Sequence, residues 1–387
     1  MRRLLLIWCL IFGFSDLSSQ AVRKYSNEFL KIGVGGKYLG TGGSLVSSES
    51  DPATVFYNPA GVGAFDRVAV SAMHNSYFAG IANFDYAGVI FPLKYRQNIG
   101  VSLIRFGIDN IPNTIQLYNP DGSINYDRIS SFSVSDMALF LSFGKRVRDT
   151  QGLSFGGNVK IIKRDYGSFA GAWGFGIDAG AQYTSDKYSF GVFLQDITTT
   201  FSSWNFSFDD STKKVFAATG NEIPTSSSEI TLPSIHFGGQ YNFLFGNGKQ
   251  LKFSPMAKIT VFTEKRNVLL PGPVSADVSL GGEFGIYNIA FIRFGLNNFT
   301  KAVNDLGEDY LSFIPSVGAG FRLNQFDIDY SYNNVANAGI GLYSHVFSLS
   351  YRFKKKDRYS RPNVAPESSP SNPSSPVNTD NVPVKLD

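Results

Sequence analysis

The segment Phe326-Asp327-Ile328-Asp329-Tyr330-Ser331-Tyr332 decides the fold class, because apolar and polar residues alternate strictly along it. Successive side chains of a β-strand point to opposite faces, so the aromatic and aliphatic residues share one face and the aspartates and serine share the other. A strand with one apolar and one charged face suits a wall between lipid and water. A charge that faces lipid is strongly destabilising, so the register of such a strand is firmly set.

The same alternation recurs between Val68 and Phe353, and short connections between the stretches alternate with longer ones. In bacterial outer-membrane barrels short turns lie on the periplasmic side and long loops lie outside. The sequence therefore predicts an all-β fold, a transmembrane antiparallel β-barrel of about fourteen strands, placed in the outer membrane with both termini in the periplasm. The barrel is expected over residues 67–353, with its longest outer loops near 108–130 and 198–228. The short turns are expected at residues 94–96, 148–150, 185–186, 246–248, 287–288 and 323–324.

The two ends of the chain differ from the repeating region. Arg2 and Arg3 precede the apolar run Leu4 to Phe14, and small or polar residues follow, which predicts a signal peptide over residues 1–20. Residues 354–387 begin with a basic cluster and continue in Pro, Ser and Asn, which predicts a disordered periplasmic tail. The single cysteine, Cys9, lies in the expected signal peptide, so the mature chain should carry neither disulfide nor thiol chemistry.

The composition limits the function classes. Of all residues 43% are hydrophobic and 15% aromatic, yet no apolar stretch after the N-terminus reaches the roughly 18 residues of a membrane helix. A barrel shows lipid only every second residue, which explains the modest hydropathy; a Gly-rich soluble β-sandwich is the alternative. The net charge is +4 and the basic residues form no stripe, so we expect outer-membrane lipids as partners and no nucleic acid.

Catalytic and metal-binding constellations are not evident in the sequence. The three histidines, His74, His236 and His345, show no metal or nucleophile spacing, so neither an enzyme nor a cofactor is expected. Inward-facing charges are expected to pair with one another in the barrel lumen rather than hold a cation. The candidate lumen-facing charges are Asp277, Glu283, Arg293, Asp327 and Asp329.

An aromatic concentration in the second long loop is the candidate contact surface for a ligand or partner. It contains Phe201, Trp204, Phe206 and Phe208. Exposed aromatic residues are unfavourable in water unless they pack over the barrel mouth or meet something apolar. A packed lid and a ligand-capturing surface therefore remain the two alternatives.

Residues 21–66 precede the first strand and do not alternate. Their mixture of glycine with large apolar residues favours a packed plug inside the lumen, a hatch, over a free periplasmic leader. Within this segment the motif Asn58-Pro59-Ala60-Gly61 joins an Asn before Pro, which is extended or in a turn, to a Gly that permits a bend. We expect the motif to be structural rather than a ligand contact.

Three stretches of this segment resemble the FadL-like outer-membrane family: Asn27 to Leu30, the Gly-rich Ile32 to Gly36, and Asn58 to Gly61. Within it they look most like the PorV/PorQ branch of the Bacteroidota. The resemblance implies an N-terminal hatch and a fourteen-stranded barrel. The final strand Phe347 to Phe353 also looks like the terminal signal of outer-membrane proteins, although a tail follows it here.

The resemblance implies two functions. The PorV/PorQ branch is associated with type nine protein secretion, in which such barrels bind secreted proteins, their signals or secretion-system components; this is the preferred expectation. The FadL-like group instead takes up hydrophobic compounds such as long-chain fatty acids, which enter a barrel pocket from outside and leave through an opening in the wall. A structural or adhesive barrel is a third class. An apolar pocket beneath the loops would favour uptake, an open groove at the outer rim would favour protein binding, and a sealed pore would favour a structural role.

Overall fold

The computed structural model describes residues 26–47, 51–119, 121–148, 150–223, 225–246, 250–264, 266, 270, 274–304, 306–334 and 343–354. The expected signal peptide lies outside these ranges, as does the expected tail apart from Lys354.

Seventeen strand segments form one antiparallel sheet. They occupy 14 positions in a closed barrel, because β7 and β8 follow one another in one position and β9, β10 and β11 in the next. The segments are β1 Ala69–Tyr77, β2 Ala82–Pro92, β3 Gln97–Asn113, β4 Ser130–Arg146, β5 Leu153–Tyr166, β6 Ala170–Thr184, β7 Tyr188–Gln195, β8 Thr200–Phe206, β9 Ser226–Thr231, β10 Ser234–Tyr241, β11 Phe243–Phe245, β12 Leu251–Phe262, β13 Ser275–Ile286, β14 Ala290–Val303, β15 Asp309–Leu323, β16 Phe326–Asn334 and β17 Tyr343–Arg352.

The first and last strands close the barrel. β1 pairs with β17 from Ala69 opposite Arg352 to Ser76 opposite His345. This pairing joins the two terminal strands of the sheet, as a strand-built membrane wall requires. The predicted all-β barrel of about fourteen strands is thus confirmed.

The inner and outer faces follow the predicted alternation. In β16, Phe326 and Ile328 are 44% and 46% exposed, whereas Asp327 and Asp329 are 8% and 5% exposed. The exposed residues form the outer, lipid-compatible surface and the buried ones face the lumen.

The barrel has a turn end, where β2–β3, β4–β5, β6–β7, β11–β12, β13–β14 and β15–β16 are joined, and an opposite loop end. The turns at residues 94–96, 185–186, 287–288 and 323–324 lie where the sequence predicted them, and Tyr95, Tyr287 and Asn324 have the left-handed backbone of tight turns. The turns predicted at 148–150 and 246–248 include residues outside the described ranges. At the other end, the two loops expected near 108–130 and 198–228 are shorter than predicted. They span 114–129 and 207–225, while residues 78–81 and 167–169 are short links between strands.

The strand limits explain this correction. A register shift between Ile108 and Ile111 interrupts the alternation in β3, so the sequence reading ended that strand at the bulge. The strand is interrupted a second time between Gln195 and Thr200, and β8 and β9 follow this interruption. The region near 198–228 therefore contains parts of two strands as well as a loop.

The helices are short and lie in the hatch and the loops. We call residues 26–47 and 51–66 the hatch. Its elements are the 3-10 helices Glu28–Lys31 and Pro59–Ala64 and the α-helices α1 Gly36–Gly40 and α2 Thr54–Tyr57, while the 3-10 helix Tyr126–Arg128 and the α-helix α3 Asp210–Ala218 lie in the long loops. None of the described helices has the length and hydropathy of a membrane span.

The hatch packs inside the barrel and shares one core with the wall. Val34, Val55 and Val62 of the hatch are essentially fully buried, as are Phe84 and Ile104 of the wall. Burying apolar side chains of this size contributes roughly 1.5–3 kcal/mol each, which fixes the hatch in place.

Candidate functional site

Glycines on the inner wall let the hatch backbone approach the strands closely. At seven wall positions a Cβ would come within 3.0 Å of a hatch atom, which real Cβ atoms essentially never do. Hatch and wall therefore leave no room for passage at these contacts. The seven are Gly144, Gly156, Gly180, Gly191, Gly238, Gly281 and Gly295.

The Asn58 side chain links the hatch to the wall. It is fully buried, and its Nδ2 donates to the carbonyl oxygens of Val46 at 3.0 Å and Ala181 at 3.1 Å. Its Oδ1 accepts from the Ala60 amide at 3.1 Å and so caps the 3-10 helix that Pro59 begins. Pro59, Ala60 and Gly61 are buried behind it.

A cavity of about 650 Å³ lies between the hatch and the inner wall. Its two sides differ in chemistry. The hatch side is formed by Leu30, Ile32, Leu39, Leu45, Val46 and Phe56, together with Tyr57. The wall side carries mainly polar groups, from Asn75, Gln195, Ser234, His236, Lys258, Thr260, Asp277, Ser279 and Asn297.

Hydrogen bonds hold the polar wall in a defined arrangement. The Nε2 atom of His236 lies 3.0 Å from Gln195 Oε1 and 3.2 Å from Ser234 Oγ, and its Nδ1 atom lies 3.0 Å from Thr260 Oγ1. These side chains come from β7, β10 and β12, so the strand pairing itself positions them.

The cavity reaches a break in the wall. β7 ends at Gln195 and β8 starts at Thr200, while β9 ends at Thr231 and β10 starts at Ser234. No backbone hydrogen bond joins residues 196–199 to residues 232–233, all six of which are described. Asp196 and Leu232 of this break line the cavity.

A buried charge network anchors the break. Lys160 Nζ contacts Asp178 Oδ1 at 2.8 Å and also contacts Asp196, and these three side chains are between 1% and 5% exposed. The Asp196 amide donates to Asp178 at 2.9 Å, and the Thr200 hydroxyl donates to Asp196. Asp196 and Thr199 have left-handed φ values of 57° and 59°, a strained conformation that these contacts hold. The sequence reading did not single out this network.

Three of the four aromatic residues predicted for an outer loop lie in one row, in which Phe206 stacks on Trp204 and on Phe208 with ring centres 6.2 Å apart in both pairs, and Phe201 lies apart from them. Phe201, Trp204 and Phe206 lie in β8, and Phe208 follows it. Phe201 is 51% exposed on the outer face, whereas Trp204 is 6% exposed and lies under the Arg164 guanidinium, 4.7 Å from its ring centre. Phe208 packs against Phe169 and Phe216 of α3. Their role as a ligand contact stays a prediction.

Four of the five predicted lumen charges are ion-paired on the inner wall. Arg293 binds Glu283 at 2.8 Å and Asp329 at 2.6 Å. Asp327 is paired with Arg322 at 2.7 Å and with Arg352 at 3.0 Å. The fifth, Asp277, lines the cavity.

The histidines lie apart from one another. His74 pairs with Asp85 at 2.7 Å, His345 lies 2.8 Å from the Tyr330 hydroxyl, and His236 belongs to the cavity wall. Within the described ranges, no three His, Cys, Asp or Glu side chains are grouped as metal ligands.

No family model and no curated protein matches the chain. Two solved structures of the Pseudomonas putida toluene transporter TodX share its fold, with TM-scores of 0.51 and 0.50 at 12% and 13% identity. They cover 86% and 83% of this chain, and 99% of the matched chain in each case. A Pseudomonas aeruginosa FadL homologue aligns with a TM-score of 0.46 at 14% identity, over 83% of this chain and 98% of its own. At this identity the likeness to the two TodX structures establishes the β-barrel fold and nothing more.

Proposed function

We propose that the protein is an outer-membrane channel that takes up small molecules with an apolar body. The cavity of about 650 Å³ carries this proposal, because it has the size of a small-molecule site and one apolar side. An apolar ligand that leaves water for the hatch side gains the free energy of apolar burial. Toluene transport by the TodX neighbours agrees with this chemistry.

The contacts between hatch and wall suggest the route. A ligand that enters from the loop end meets a hatch packed against seven wall glycines. Beside the cavity, the strand ladder is interrupted between residues 196–199 and 232–233. Sideways release into the membrane at this break avoids displacing the hatch, so we propose it as the exit. Among the described residues, no feature specifically favours a secretion role, and we do not propose one.

Filling the cavity tests the proposal. Ile32 lines the cavity from the hatch, so Ile32→Trp should occupy ligand space and reduce uptake by about tenfold, a loss of about 1.4 kcal/mol of binding. Ile289→Trp is the matched control, because Ile289 is 50% exposed in a turn-end link. Both variants are expressed in a deletion strain of the native host, and uptake of radiolabelled dodecanoate, dodecane and monododecanoylglycerol is measured.

The same strain separates the competing functions. Uptake that is restored by the wild type and by Ile289→Trp, but not by Ile32→Trp, is the expected result. Normal uptake in the deletion strain, together with a loss of surface or secreted proteins, would contradict the proposal and favour the secretion-associated function.

A further inference from the structure

Five exposed cations lie at the turn end of the barrel, and we call them the basic rim. They belong to the three neighbouring links β2–β3, β4–β5 and β6–β7, or to the strand end beside one of these links. In the sequence, the links of the other half, residues 246–250, 287–289 and 324–325, carry Lys249 as their one charged residue. The five cations of the basic rim are Lys94, Arg96, Lys145, Arg148 and Lys187.

The basic rim carries an excess of positive charge. Its three links contain two acidic residues, Asp149 and Asp186, against the five cations. Among the described contacts, no ion pair or side-chain hydrogen bond engages any of the five cations. An anion at the rim therefore gains attraction from several cations without breaking an existing pair.

Lys145 lies on the outer face of the wall, where the barrel meets the membrane. Its neighbours along this face of β4, Phe143 and Leu141, are 46% and 45% exposed, whereas Ser142 between them is buried on the inner face. Lys145 is paired opposite Phe155, which is 51% exposed. The long lysine stem can follow this apolar surface while the ammonium group lies among lipid headgroups.

The height of the apolar surface places the basic rim at a membrane boundary. Along the outer face of β3, three exposed apolar residues separate Gln97, which pairs with Lys145, from Arg105 on the loop-end side. These eight residues span about 27 Å along the strand, or about 20 Å across the membrane at the usual tilt of about 40°. Outer-membrane barrels have an apolar band of about 25 Å, so the rim cations lie at the level of the headgroups.

Tyrosines accompany the cations of the rim. Tyr95 lies between Lys94 and Arg96 and is 85% exposed, and Tyr188 follows Lys187 and is 39% exposed. Tyrosine favours the membrane interface, because its ring is apolar and its hydroxyl group is polar. Exposed tyrosines beside unpaired cations therefore indicate a lipid headgroup region.

The loop-end margin of the same apolar surface differs, because its charges neutralise one another. Asp85 contacts His74 at 2.7 Å and Arg105 at 3.8 Å, and Lys163 pairs with Asp165 at 3.1 Å. An anionic headgroup would have to compete with these carboxylates for the cations. The unpaired cations thus distinguish the turn-end margin of the wall from the loop-end margin.

We infer that the basic rim binds anionic phospholipids in the membrane leaflet at the turn end. The phosphate groups accept from the lysine and arginine side chains, and the acyl chains lie against the apolar outer face beside Lys145. A lipid with a net negative charge is preferred over phosphatidylcholine, whose ammonium group offsets its phosphate. Short turns of barrels face the periplasm, so we expect this leaflet to be the inner one of the outer membrane. The rim is separate from the cavity, and the inference does not rest on the proposed function.

Native mass spectrometry of the full barrel tests this preference. The barrel in a neutral detergent is titrated with phosphatidylglycerol or with phosphatidylcholine of the same acyl chains, and the affinity of the first bound lipid is compared. Each Lys or Arg near an anionic membrane surface contributes about fivefold in affinity. We expect phosphatidylglycerol to bind the wild type at least about tenfold more tightly than phosphatidylcholine.

Two double variants remove the same number of cations from the two margins. Lys145→Gln/Arg148→Gln should lower the affinity for phosphatidylglycerol by about tenfold and leave that for phosphatidylcholine unchanged. Arg105→Gln/Lys163→Gln is the matched control. These two side chains lie about 20 Å from the rim, beyond the Debye length at about 0.15 M salt, and their removal should change neither affinity. Heat-dependent gel mobility verifies that both variants are folded barrels.

Each outcome decides for or against the basic rim. A preference for phosphatidylglycerol that is lost in Lys145→Gln/Arg148→Gln and kept in Arg105→Gln/Lys163→Gln supports the inference. Equal affinity of the wild type for both lipids, or an equal loss in both double variants, overturns it. The rim would then be a solvated surface or a contact for an acidic protein, and the proposed uptake through the cavity would stand.

Discussion

At the scale of single residues, Asn58 shows how a short motif specifies the hatch. Its amide is the only part of the Asn58-Pro59-Ala60-Gly61 motif that reaches the wall through a side-chain hydrogen bond among the described contacts. The Asn58 Nδ2 donates to one carbonyl oxygen of the hatch and one of the wall, and its Oδ1 accepts from an amide of the helix that it caps. No other side chain of the same size makes all three of these bonds.

Changing this donor into an acceptor should loosen the hatch. Asn58→Asp would set a buried carboxylate against the Val46 and Ala181 carbonyl oxygens, and we expect the free energy of unfolding to fall by at least about 1–3 kcal/mol. Urea titration followed by gel mobility measures the loss, and limited proteolysis reports release of the hatch. Asn125→Asp is the control, because Asn125 only accepts, from the Asp127 amide at 3.0 Å, and aspartate accepts equally well. Equal stability of both variants would contradict this role.

The sequence predicts which face of the barrel wall a side chain points to, but it does not predict which other side chains it contacts. The alternation in β16 assigns Asp327 and Asp329 to the lumen, since only the local period is needed. The hydrogen-bonded side chains of Gln195, His236 and Thr260 in the cavity wall come from β7, β10 and β12. Only the closed barrel brings them to one cavity, so no local pattern could have indicated them.

At the scale of elements, the break between β7 and β8 interrupts the strand pairing of the barrel wall. The pairs Ala179–Leu194 and Phe175–Phe201 enclose residues 195–200 on one side and only residues 176–178 of β6 on the other, which forces an excursion of the longer strand. Alternation stops there, and this is why the sequence reading placed a loop over residues 198–228. A strand that resumes after an excursion has no local signature that separates it from a long loop.

Removing the cation that anchors the excursion should destabilise the barrel. Lys160→Met leaves Asp178 and Asp196 buried without a counter-charge, and we expect a loss of about 3–5 kcal/mol in the free energy of unfolding. Lys163→Met on the same strand breaks an exposed pair with Asp165 and should cost about 0–1 kcal/mol. Urea unfolding of both variants gives the comparison, and a similar small loss in both would show that Lys160 does not hold the break.

At the scale of the whole molecule, hatch and barrel form one packed unit. The close glycine contacts join hatch residues from Thr41 to Val46 and from Asn58 to Gly63 to seven wall strands, so the position of the hatch depends on the wall. The sequence predicted a packed plug from its apolar content. It could not predict the close approaches, because a glycine in a strand is equally compatible with a bulge or a bend.

The orientation of this unit in the membrane determines which side supplies the ligand, and cysteine labelling tests it. Trp204, in the aromatic cluster expected outside, is unsuitable because it is 6% exposed. Leu306, 84% exposed at the loop end, and Lys94, exposed in a turn-end link, are better sites.

The only native cysteine, Cys9, lies in the expected signal peptide, so labelling of Leu306→Cys and Lys94→Cys has no background from a native thiol. We expect a membrane-impermeant maleimide to label Leu306→Cys on intact cells, and Lys94→Cys only after the outer membrane is permeabilised, because short turns face the periplasm. The reverse result would place the loop end in the periplasm, and ligands would then reach the cavity from inside the cell envelope.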